Sequence, residues 1–447
     1  MSRLERFREQ ARREMDDLGV PGVAVAVLAG GEQEAFCLGV TSRENPLEVT
    51  ADTLFQVGSI TKTYVAALVM RLVERESLEL DGSVRTYLPE FRLADERAAE
   101  GATIRHLLTH TGDWVGDVFE DHGRGEDALA RIVARLADAP QVTPLGEAWS
   151  YNNAGFYILG RVVEVVTGQP FETAMRELVV EPLGLESTFF FPDEVMTYRF
   201  AVGHLHGEEG DKQAAIARDW WVGRASHPAG GIVQSLNDLL RYGRYAFDGR
   251  PLLTPESFEL LRQPQVPVGG DVDAVGLAWM LRRIGDADFM LHGGGTSGQV
   301  SILYVAPDEK FAFAALTNHD YGGVLIDRLQ EPLLDEYLGV REPEPELRVL
   351  EPGQLAEYAG VYRSWMSDVE VGVADGGLEL RYVQTRGFPT PDAPIPPPPP
   401  PAKLAFYEDD RAIATDDLWK GSRMVFLRNA DEDIVWLRVG GRLHRRT

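Results

Sequence analysis

The hydrophobic pattern of this chain changes period twice, and the resulting order of elements limits the folds open to it. Apolar runs at 23–29 and 34–40, separated by the Gly30–Gly31 turn, predict a β-hairpin. Segments with helical spacing then fill residues 58 to about 260, and strand-like segments return between about 277 and 318 before a last helix at 324–338. We therefore expect one antiparallel sheet completed by both ends of this region, with helices packed against it.

A second, smaller domain is expected after this region. Residues 341–346 (REPEPE) have prolines and charges without an apolar period, which is typical of a linker. Short alternating segments follow and predict an all-β unit, which we interpret as a barrel. The expected division is 1–340, a linker at 341–349, and 350–447. The proline-rich segment 389–402 cannot be a strand. It is either a solvated surface loop or a rigid arm that reaches a neighbouring subunit or the active site.

Charge and composition exclude several classes of partner. The formal net charge of −26 would repel a nucleic-acid backbone or an anionic membrane. No secretory signal or membrane-length apolar run is present, so we expect a cytoplasmic protein. The lone Cys37 lies in an apolar stretch and is expected to be a buried strand thiol. A homo-oligomer is compatible with the sequence, although no feature of the sequence requires one.

Ser59 and Lys62 are the candidate nucleophile and base. A spacing of three places both side chains on one face of a helix, one turn apart. Of the 44 basic residues, 39 are arginine, yet the basic residue at this position is a lysine. That choice matters because arginine cannot release its proton, whereas a buried lysine can serve as a base. The free N–H of Ser59 at a helix start is a candidate oxyanion donor.

Tyr151 and Asn153 form the second candidate group, directly before an apolar helix. In an extended segment, two residues separated by one position point the same way. A tyrosine beside an ammonium group is expected to have a lowered pKa and to shuttle the serine proton to the leaving group. Asn153 is expected to hold Lys62 and contact a substrate carbonyl, unless it only caps the helix.

The third candidate group is His292 with the glycines Gly293, Gly294 and Gly295. Glycines in a strand often mark a close approach of a ligand to the backbone. The N–H of Gly295 is the natural second oxyanion donor, opposite that of Ser59. The alternative is an ordinary glycine-rich hairpin.

The three groups together resemble the serine β-lactamase and penicillin-recognising superfamily, whose motifs are S-x-x-K, Y-x-N and K-T-G or H-x-G. Here these motifs read GSITK, YNN and HGGG, and the resemblance covers residues from about 10 to 340. It implies an α/β fold, with an antiparallel sheet flanked by helices and a helical subdomain. It also implies an acyl-enzyme on Ser59, with Lys62 and Tyr151 as the proton-transfer pair.

The third motif departs from that of the β-lactamases, because His292 replaces the lysine that helps to hold a substrate carboxylate. Histidine here resembles the D-aminopeptidases, D-peptide hydrolases and some esterases of the superfamily, branches in which a C-terminal lipocalin-like barrel also occurs. The resemblance therefore implies a peptidase or amidase for small D-amino-acid-containing peptides. A carboxylesterase, a β-lactamase and a non-catalytic ligand-binding protein are the alternatives.

Several other residues receive an ordinary structural interpretation. His106 and His110 are four apart on a helix, but no third metal ligand accompanies them, so we interpret them as packing residues. Trp220, Trp221 and Trp279 could line a pocket or belong to the core. No nucleotide-binding loop, paired cysteines or metal-binding helix motif appears, and we expect no cofactor, no metal and a small molecule or short peptide as substrate.

Overall fold

The structure is a computed structural model, and it describes residues 3–207, 215–220, 222–374, 376–416 and 418–447. The α-helices are α1 Arg8–Leu18, α2 Thr61–Glu74, α3 Val84–Tyr87, α4 Glu96–Gly101, α5 Ile104–Leu108, α6 Ala128–Arg135, α7 Ala154–Thr167, α8 Phe171–Met175, α9 Pro192–Val195, α10 His227–Gly230, α11 Leu236–Tyr245, α12 Pro255–Arg262, α13 Gly322–Leu338 and α14 Pro352–Tyr358. Shorter turns of 3-10 helix lie at Leu4–Phe7, Gly58–Ile60, Leu136–Asp138 and Arg224–Ser226, and a π-helical turn lies at Arg176–Val180.

The strands are β1 Gly22–Ala29, β2 Glu32–Gly39, β3 Leu54–Gln56, β4 Thr188–Phe189, β5 His204–Leu205, β6 Ala215–Ile216, β7 Val233–Ser235, β8 Val266–Pro267, β9 Ala274–Val275, β10 Met280–Ile284, β11 Ala287–Thr296, β12 Gln299–Ala306, β13 Phe311–Thr317, β14 Gly360–Arg363, β15 Ser367–Ala374, β16 Gly377–Gln384, β17 Ala402–Glu408, β18 Arg411–Ala414, β19 Arg423–Arg428, β20 Ile434–Val439 and β21 Arg442–Arg446.

The large sheet contains strands from both ends of the first region, as predicted. Its order is β2-β1-β13-β12-β11-β10-β9-β8, and its strand pairs are antiparallel. Val23 of β1 lies opposite Thr317 of β13, so the N-terminal hairpin pairs with the last strand of the region. The expectation of one antiparallel sheet completed by both ends is therefore confirmed.

Strand β1 is apolar along its whole length because both of its faces are buried. One face belongs to the core under the helical region and the other to the core under α1 and α13. The two sets alternate along the strand as Ala24, Ala26 and Leu28 on the first face and Val23, Val25 and Val27 on the second. A strand buried on both faces gives a continuous apolar run rather than an alternating one.

Helix α2 carries Lys62 and is buried almost all round. The sequence pattern indicated a single apolar face through Val65, Leu68, Val69 and Leu72. In the structure every residue from Thr61 to Met70 is buried, because α2 is packed among other helices, including α7, α8, α10 and α12. This central position is what takes the lysine amine out of water.

The C-terminal strands close into an eight-stranded barrel, which confirms the predicted all-β unit. Strands β14 to β21 follow one another around it, and β14 pairs with β21 to close it. Aromatic side chains pack together in its core, where Tyr358 of α14 contacts Phe406 and Phe426. The fold is thus an α/β domain of the expected kind followed by a closed barrel.

The linker between these units and the proline-rich segment within the barrel are both anchored rather than detached. Glu342 pairs with Arg282 of β10 and with Arg423 of β19. The proline-rich segment joins β16 to β17, and its Pro397 carbonyl lies 3.1 Å from His206 Nε2. No helix among the described residues combines the length and apolar character needed to cross a membrane.

Candidate active site

Ser59 lies in the 3-10 turn Gly58–Ile60, immediately before α2, and is partly exposed while its neighbours are buried. Gly58 has a φ of +50°, and a Cβ there would lie 2.8 Å from the backbone nitrogen of Gly295. Only glycine allows this close approach between the serine turn and β11. The two candidate oxyanion donors, the N–H groups of Ser59 and Gly295, are thereby brought to one place.

Lys62 lies one turn below Ser59 and is completely buried. Its Nζ is 3.0 Å from Ser59 Oγ and donates to the Ala229 carbonyl at 2.5 Å. Burial, and secondarily the positive charge of Arg442, lowers the pKa of Lys62 well below its usual value. A neutral amine at hydrogen-bond distance from a serine hydroxyl can accept its proton.

Tyr151 lies in the loop before α7, and three basic side chains lie close to its ring. The ring stacks on His110 with centroids 4.4 Å apart, and Arg442 Cζ and Lys62 Nζ lie 4.6 and 5.0 Å from its centroid. Its buried hydroxyl has no partner in hydrogen-bond geometry among the described residues. That oxygen is still close enough to Ser59 for the serine hydroxyl to influence its pKa.

The expected lowering of the Tyr151 pKa is wrong. Burial raises it above the usual value, and the opposing effect of the Ser59 hydroxyl is smaller. The physical reason is that the phenol is buried, which disfavours its charged form, and that Lys62, whose own pKa is lowered, supplies little of the positive charge that was expected. Tyr151 therefore carries its proton at neutral pH and is suited to donate it.

His292 is buried on β11 and is held neutral. Its Nδ1 lies 2.6 Å from the Gly293 carbonyl, which assigns the ring proton to Nδ1. Burial, and secondarily the nearby Lys62, lowers the pKa of His292 to about 3. Its Nε2 is buried and has no partner among the described residues, so an unprotonated acceptor faces the site.

The glycines after His292 allow β11 to lie directly against the serine turn. A Cβ on Gly294 would lie 1.9 Å from the Val57 carbonyl oxygen, and Gly293 and Gly295 have more room. Ser301 of the next strand also donates to the Val57 carbonyl at 2.8 Å. The HGGG sequence is thus a contact surface for the turn that carries Ser59.

Asn153 lies in the site, but it does not hold Lys62 as expected. Its Nδ2 donates to Asp117 Oδ1 at 2.5 Å, and the lysine amine is held by Ala229 instead. The alternative role as a helix cap belongs to its neighbour, since Asn152 Oδ1 accepts from the N–H of Gly155. Asn153 is consequently free of capping and lines the cavity above Ser59.

Two charged residues of the site, Asp117 and Arg442, could not be identified from the sequence. Arg442, from the last hairpin of the barrel, donates from Nε to Asp117 Oδ2 at 3.0 Å, and the Tyr151 N–H donates to the carbonyl of Gly441 at 2.9 Å. Burial alone would lower the pKa of Arg442, but the Asp117 carboxylate more than offsets this and raises it. The Gly440–Gly441 pair does predict a tight hairpin turn, but nothing local shows that the turn enters this site.

The other residues noted in the sequence lie in several places. Trp279 is core, stacked near Tyr242, and Trp221 lies outside the described residues. His106 caps the start of α5 through Thr103. Two further residues lie away from the catalytic group: Trp220, which packs on Phe200, and Cys37, a half-buried thiol on β2 whose pKa burial raises to about 11.

Two cavities meet at Ser59. The first has a volume of about 520 Å³ and runs from Ser59 and Asn153 to the open end of the barrel. The second has a volume of about 570 Å³ and is lined by Tyr151 and His292. The barrel hairpin with Gly440 and Arg442 contributes to both cavities.

Comparison with known proteins identifies the family. The beta-lactamase family model matches residues 7–332. The chain belongs to the beta-lactamase family. It is therefore a serine hydrolase of the β-lactamase and penicillin-binding protein superfamily.

Relatives in this family carry different names. The chain is 37% identical to penicillin-binding protein 4 of Amycolatopsis lactamdurans over 359 residues, which cover 77% of this chain and 93% of that protein. It is 34% identical to esterase EstB of Burkholderia gladioli, over 62% of this chain and 77% of that one. It is 27% identical to a D-aminopeptidase of Gluconobacter oxydans, over 81% and 67% of the two chains.

The similarity to solved structures extends over the barrel. The structure of SurE superposes with a TM-score of 0.75 at 27% identity, covering 98% of both chains. SurE solved with D-Leu gives a TM-score of 0.74 at 26% identity. The two-part architecture is therefore found in another protein over nearly its whole length.

Proposed function

We propose that this chain hydrolyses a small peptide or amide that contains a D-amino acid, through an acyl-enzyme on Ser59. The observation that carries the hydrolytic step is the buried Lys62 amine, 3.0 Å from Ser59 Oγ and with a lowered pKa. A base in this state takes the serine proton at neutral pH, which an exposed lysine does not do.

The reaction follows from the positions of the groups. Lys62 takes the proton of Ser59, and Oγ attacks the substrate carbonyl. The N–H groups of Ser59 and Gly295 stabilise the oxyanion. As the tetrahedral intermediate collapses, Tyr151 gives its proton to the leaving amine and regains one from Lys62. Water then attacks the ester on Ser59, its proton passes through the same pair to Oγ, and the acid is released.

The preference for D-amino-acid substrates rests on two further observations. His292 is neutral, with a pKa of about 3, so it does not attract a substrate carboxylate as a lysine in this position would. Among the relatives, one is named a D-aminopeptidase and SurE has been solved with D-Leu. The first observation favours a substrate without a carboxylate at His292, and the two relatives support a D-residue near the scissile bond.

A carboxylesterase is the second candidate. It uses the same residues, and the relationship to esterase EstB favours it. A β-lactamase and a non-catalytic ligand-binding protein are weaker candidates. A binding protein would not need the complete set of Ser59, Lys62 and Tyr151.

The test is a comparison of kcat/KM on D-alanyl p-nitroanilide, L-alanyl p-nitroanilide, p-nitrophenyl butyrate and nitrocefin, with Ser59→Ala as the control. We expect selective cleavage of the D-anilide that is lost in the control. Ester cleavage alone, also lost in the control, would make the protein an esterase. No turnover and no labelling of Ser59 by a fluorophosphonate would support the binding protein.

A further inference from the structure

The open end of the barrel forms one wall of the cavity above Ser59. Besides Ser59 and Asn153, the first cavity is lined by Leu380, Ala402 and Met424 of the barrel. A volume of about 520 Å³ is in the usual range for a small-molecule site. The catalytic serine and the barrel interior therefore share one space.

The register of the strands shows that these side chains point into the barrel. Leu380 of β16 lies opposite Ala402 of β17, and paired residues share a face of the sheet. Both are buried, although they line the cavity. Further down, the packed rings of Phe406 and Phe426 close the interior. The barrel is thus open for a short depth at the end that faces Ser59.

Several of the polar groups around this opening already have partners. Ser367 Oγ lies 2.9 Å from His444 Nε2, Trp419 Nε1 donates to the Pro400 carbonyl at 3.0 Å, and Arg442 pairs with Asp117. A ligand would have to break these bonds to use the polar atoms. Besides these paired groups and the half-buried Tyr382 and Gln384, the opening presents the apolar surface of the leucine, alanine and methionine side chains.

The two cavities differ in their catalytic residues. Tyr151 and His292 line the second cavity, and neither is among the described residues that line the first. Because Tyr151 protonates the leaving group in the proposed mechanism, the leaving group belongs on the side of the second cavity. The acyl part of the substrate, which stays on Ser59, is left facing the barrel.

We infer that the open end of the barrel is the binding site for an apolar substituent on the acyl side of the substrate, and that the hairpin at Gly440 separates it from the leaving-group side. This inference rests on the proposed function, because it uses the roles of Ser59 and Tyr151. It adds a substrate class to that function: acyl groups with an aliphatic extension of several carbons.

The experiment measures kcat/KM for p-nitrophenyl acetate, butyrate, hexanoate and octanoate. In the wild type the rate constant should rise with chain length, by at most about fourfold per methylene, which corresponds to about 0.8 kcal/mol for burial of one CH₂. Leu380→Trp fills the barrel opening and should lower the octanoate-to-acetate ratio at least about tenfold. Gln384→Trp, at the half-buried rim of the same cavity, should lower that ratio too and does not depend on repacking the interior.

Arg381→Trp is the matched control, since Arg381 is exposed on the same strand and should leave the ratio unchanged. Equal chain-length dependence in the wild type and both opening variants would overturn the inference, while Ser59-dependent acetate hydrolysis would keep the proposed function. If the variants instead slow octyl acetate relative to ethyl acetate, the two sides are reversed and the inference is wrong. If no ester is hydrolysed in a Ser59-dependent way, the proposed function and the inference both fail.

Discussion

Lys62 and Arg442 are two basic side chains close to the Tyr151 ring, and their surroundings give them opposite chemistry. Lys62 is completely buried, with the Ala229 carbonyl and Ser59 Oγ as hydrogen-bond partners of its amine, so burial lowers its pKa. Arg442 pairs with a carboxylate and keeps its charge. A fixed cation near a buried amine further favours the neutral, basic form of that amine.

Replacing Lys62 by methionine tests the base directly. Methionine is unbranched like lysine and suits the completely buried position, whereas arginine would overpack it. We expect kcat/KM to fall by about 100- to 10,000-fold. The melting temperature should be retained, because a buried amine is replaced by an apolar group of similar shape. Activity within tenfold of the wild type would show that Lys62 is not the base.

The pH dependence of kcat/KM should have an acid limb that belongs to Lys62. Its pKa is lowered, so the amine is neutral and active above that pKa and is lost as a base when the pH falls through it. His292, with a pKa of about 3, and Tyr151, with a raised pKa, do not change charge around neutrality. The limb should therefore persist in His292→Asn, and its disappearance there would assign it to the histidine.

Asp113 should make the protein less stable as the pH rises. Burial raises the pKa of Asp113 to about 7, so the folded state binds a proton that the unfolded state has released between about pH 4 and pH 7. Unfolding free energy falls over this range, by at most about 4 kcal/mol for a pKa difference of about three. Asp113→Asn, which suits the φ of +61° at this position, should stabilise the protein at pH 8 and have little effect at pH 4. Equal effects in chemical denaturation at the two pH values would contradict this.

The sequence could indicate the residues whose chemistry is local. Ser59 and Lys62 are three apart in the sequence, and Tyr151 lies in a short motif, so spacing alone suggests them. Asp117 and Arg442 are 325 positions apart and meet only in the folded chain. The upward shift of the Tyr151 pKa could likewise not be predicted from the sequence, because it depends on how deeply the side chain is buried.

At the scale of elements, the contact between β11 and the serine turn depends more on Gly294 than on Gly295. A Cβ on Gly294 would clash with the Val57 carbonyl at 1.9 Å, whereas a Cβ on Gly295 would meet nothing within 4 Å. Gly294→Ala should lower the unfolding free energy by more than about 2 kcal/mol, and Gly295→Ala by less than about 1 kcal/mol. Urea unfolding of the pair measures the difference, and similar losses would show that the turn yields to the added methyl group.

The elements with a strong period were predictable, and the shortest ones were not. The hairpin of β1 and β2, the strands β10 to β13 and the barrel strands all have clear apolar patterns. The three-stranded sheet β3-β7-β4 was missed, because strands of two or three residues are too short to show a period. That small sheet matters, since β3 leads directly into the turn that carries Ser59.

At the scale of the whole molecule, the barrel should tune the base in the other domain. Arg442 lowers the pKa of Lys62 and Asp117 raises it. Arg442→Met removes the cation and leaves Asp117 without that partner, so the acid limb of the pH profile should move to higher pH by about one unit. Arg445→Met, an exposed position on the same strand, is the control and should leave the limb in place. Adding Asp117→Asn to Arg442→Met should move the limb back to lower pH. If the limb stays at the wild-type pH in both the single and the double variant, this electrostatic coupling is excluded.

The architecture was predictable in outline and its assembly was not. The order of periods indicated the sheet and the barrel, but it did not indicate that the barrel hairpin at Gly441 reaches Tyr151. The domain limits at residues 340 and 350, a homo-oligomer and a cytoplasmic location stay predictions. None of them follows from the packing of one chain.

The pairing of β1 with β13 has a consequence for the synthesis of the protein. Val23 and Thr317 are partners in the sheet, and nearly the whole hydrolase region is made between them. At about 5–20 residues per second, about 15–60 s pass before the ribosome has made the strand that covers β1. During that time a continuous apolar strand has an open edge, which is a hazard for association between nascent chains. Overproduction should therefore give more folded protein when translation is slowed or a chaperone that holds unfolded chains is supplied.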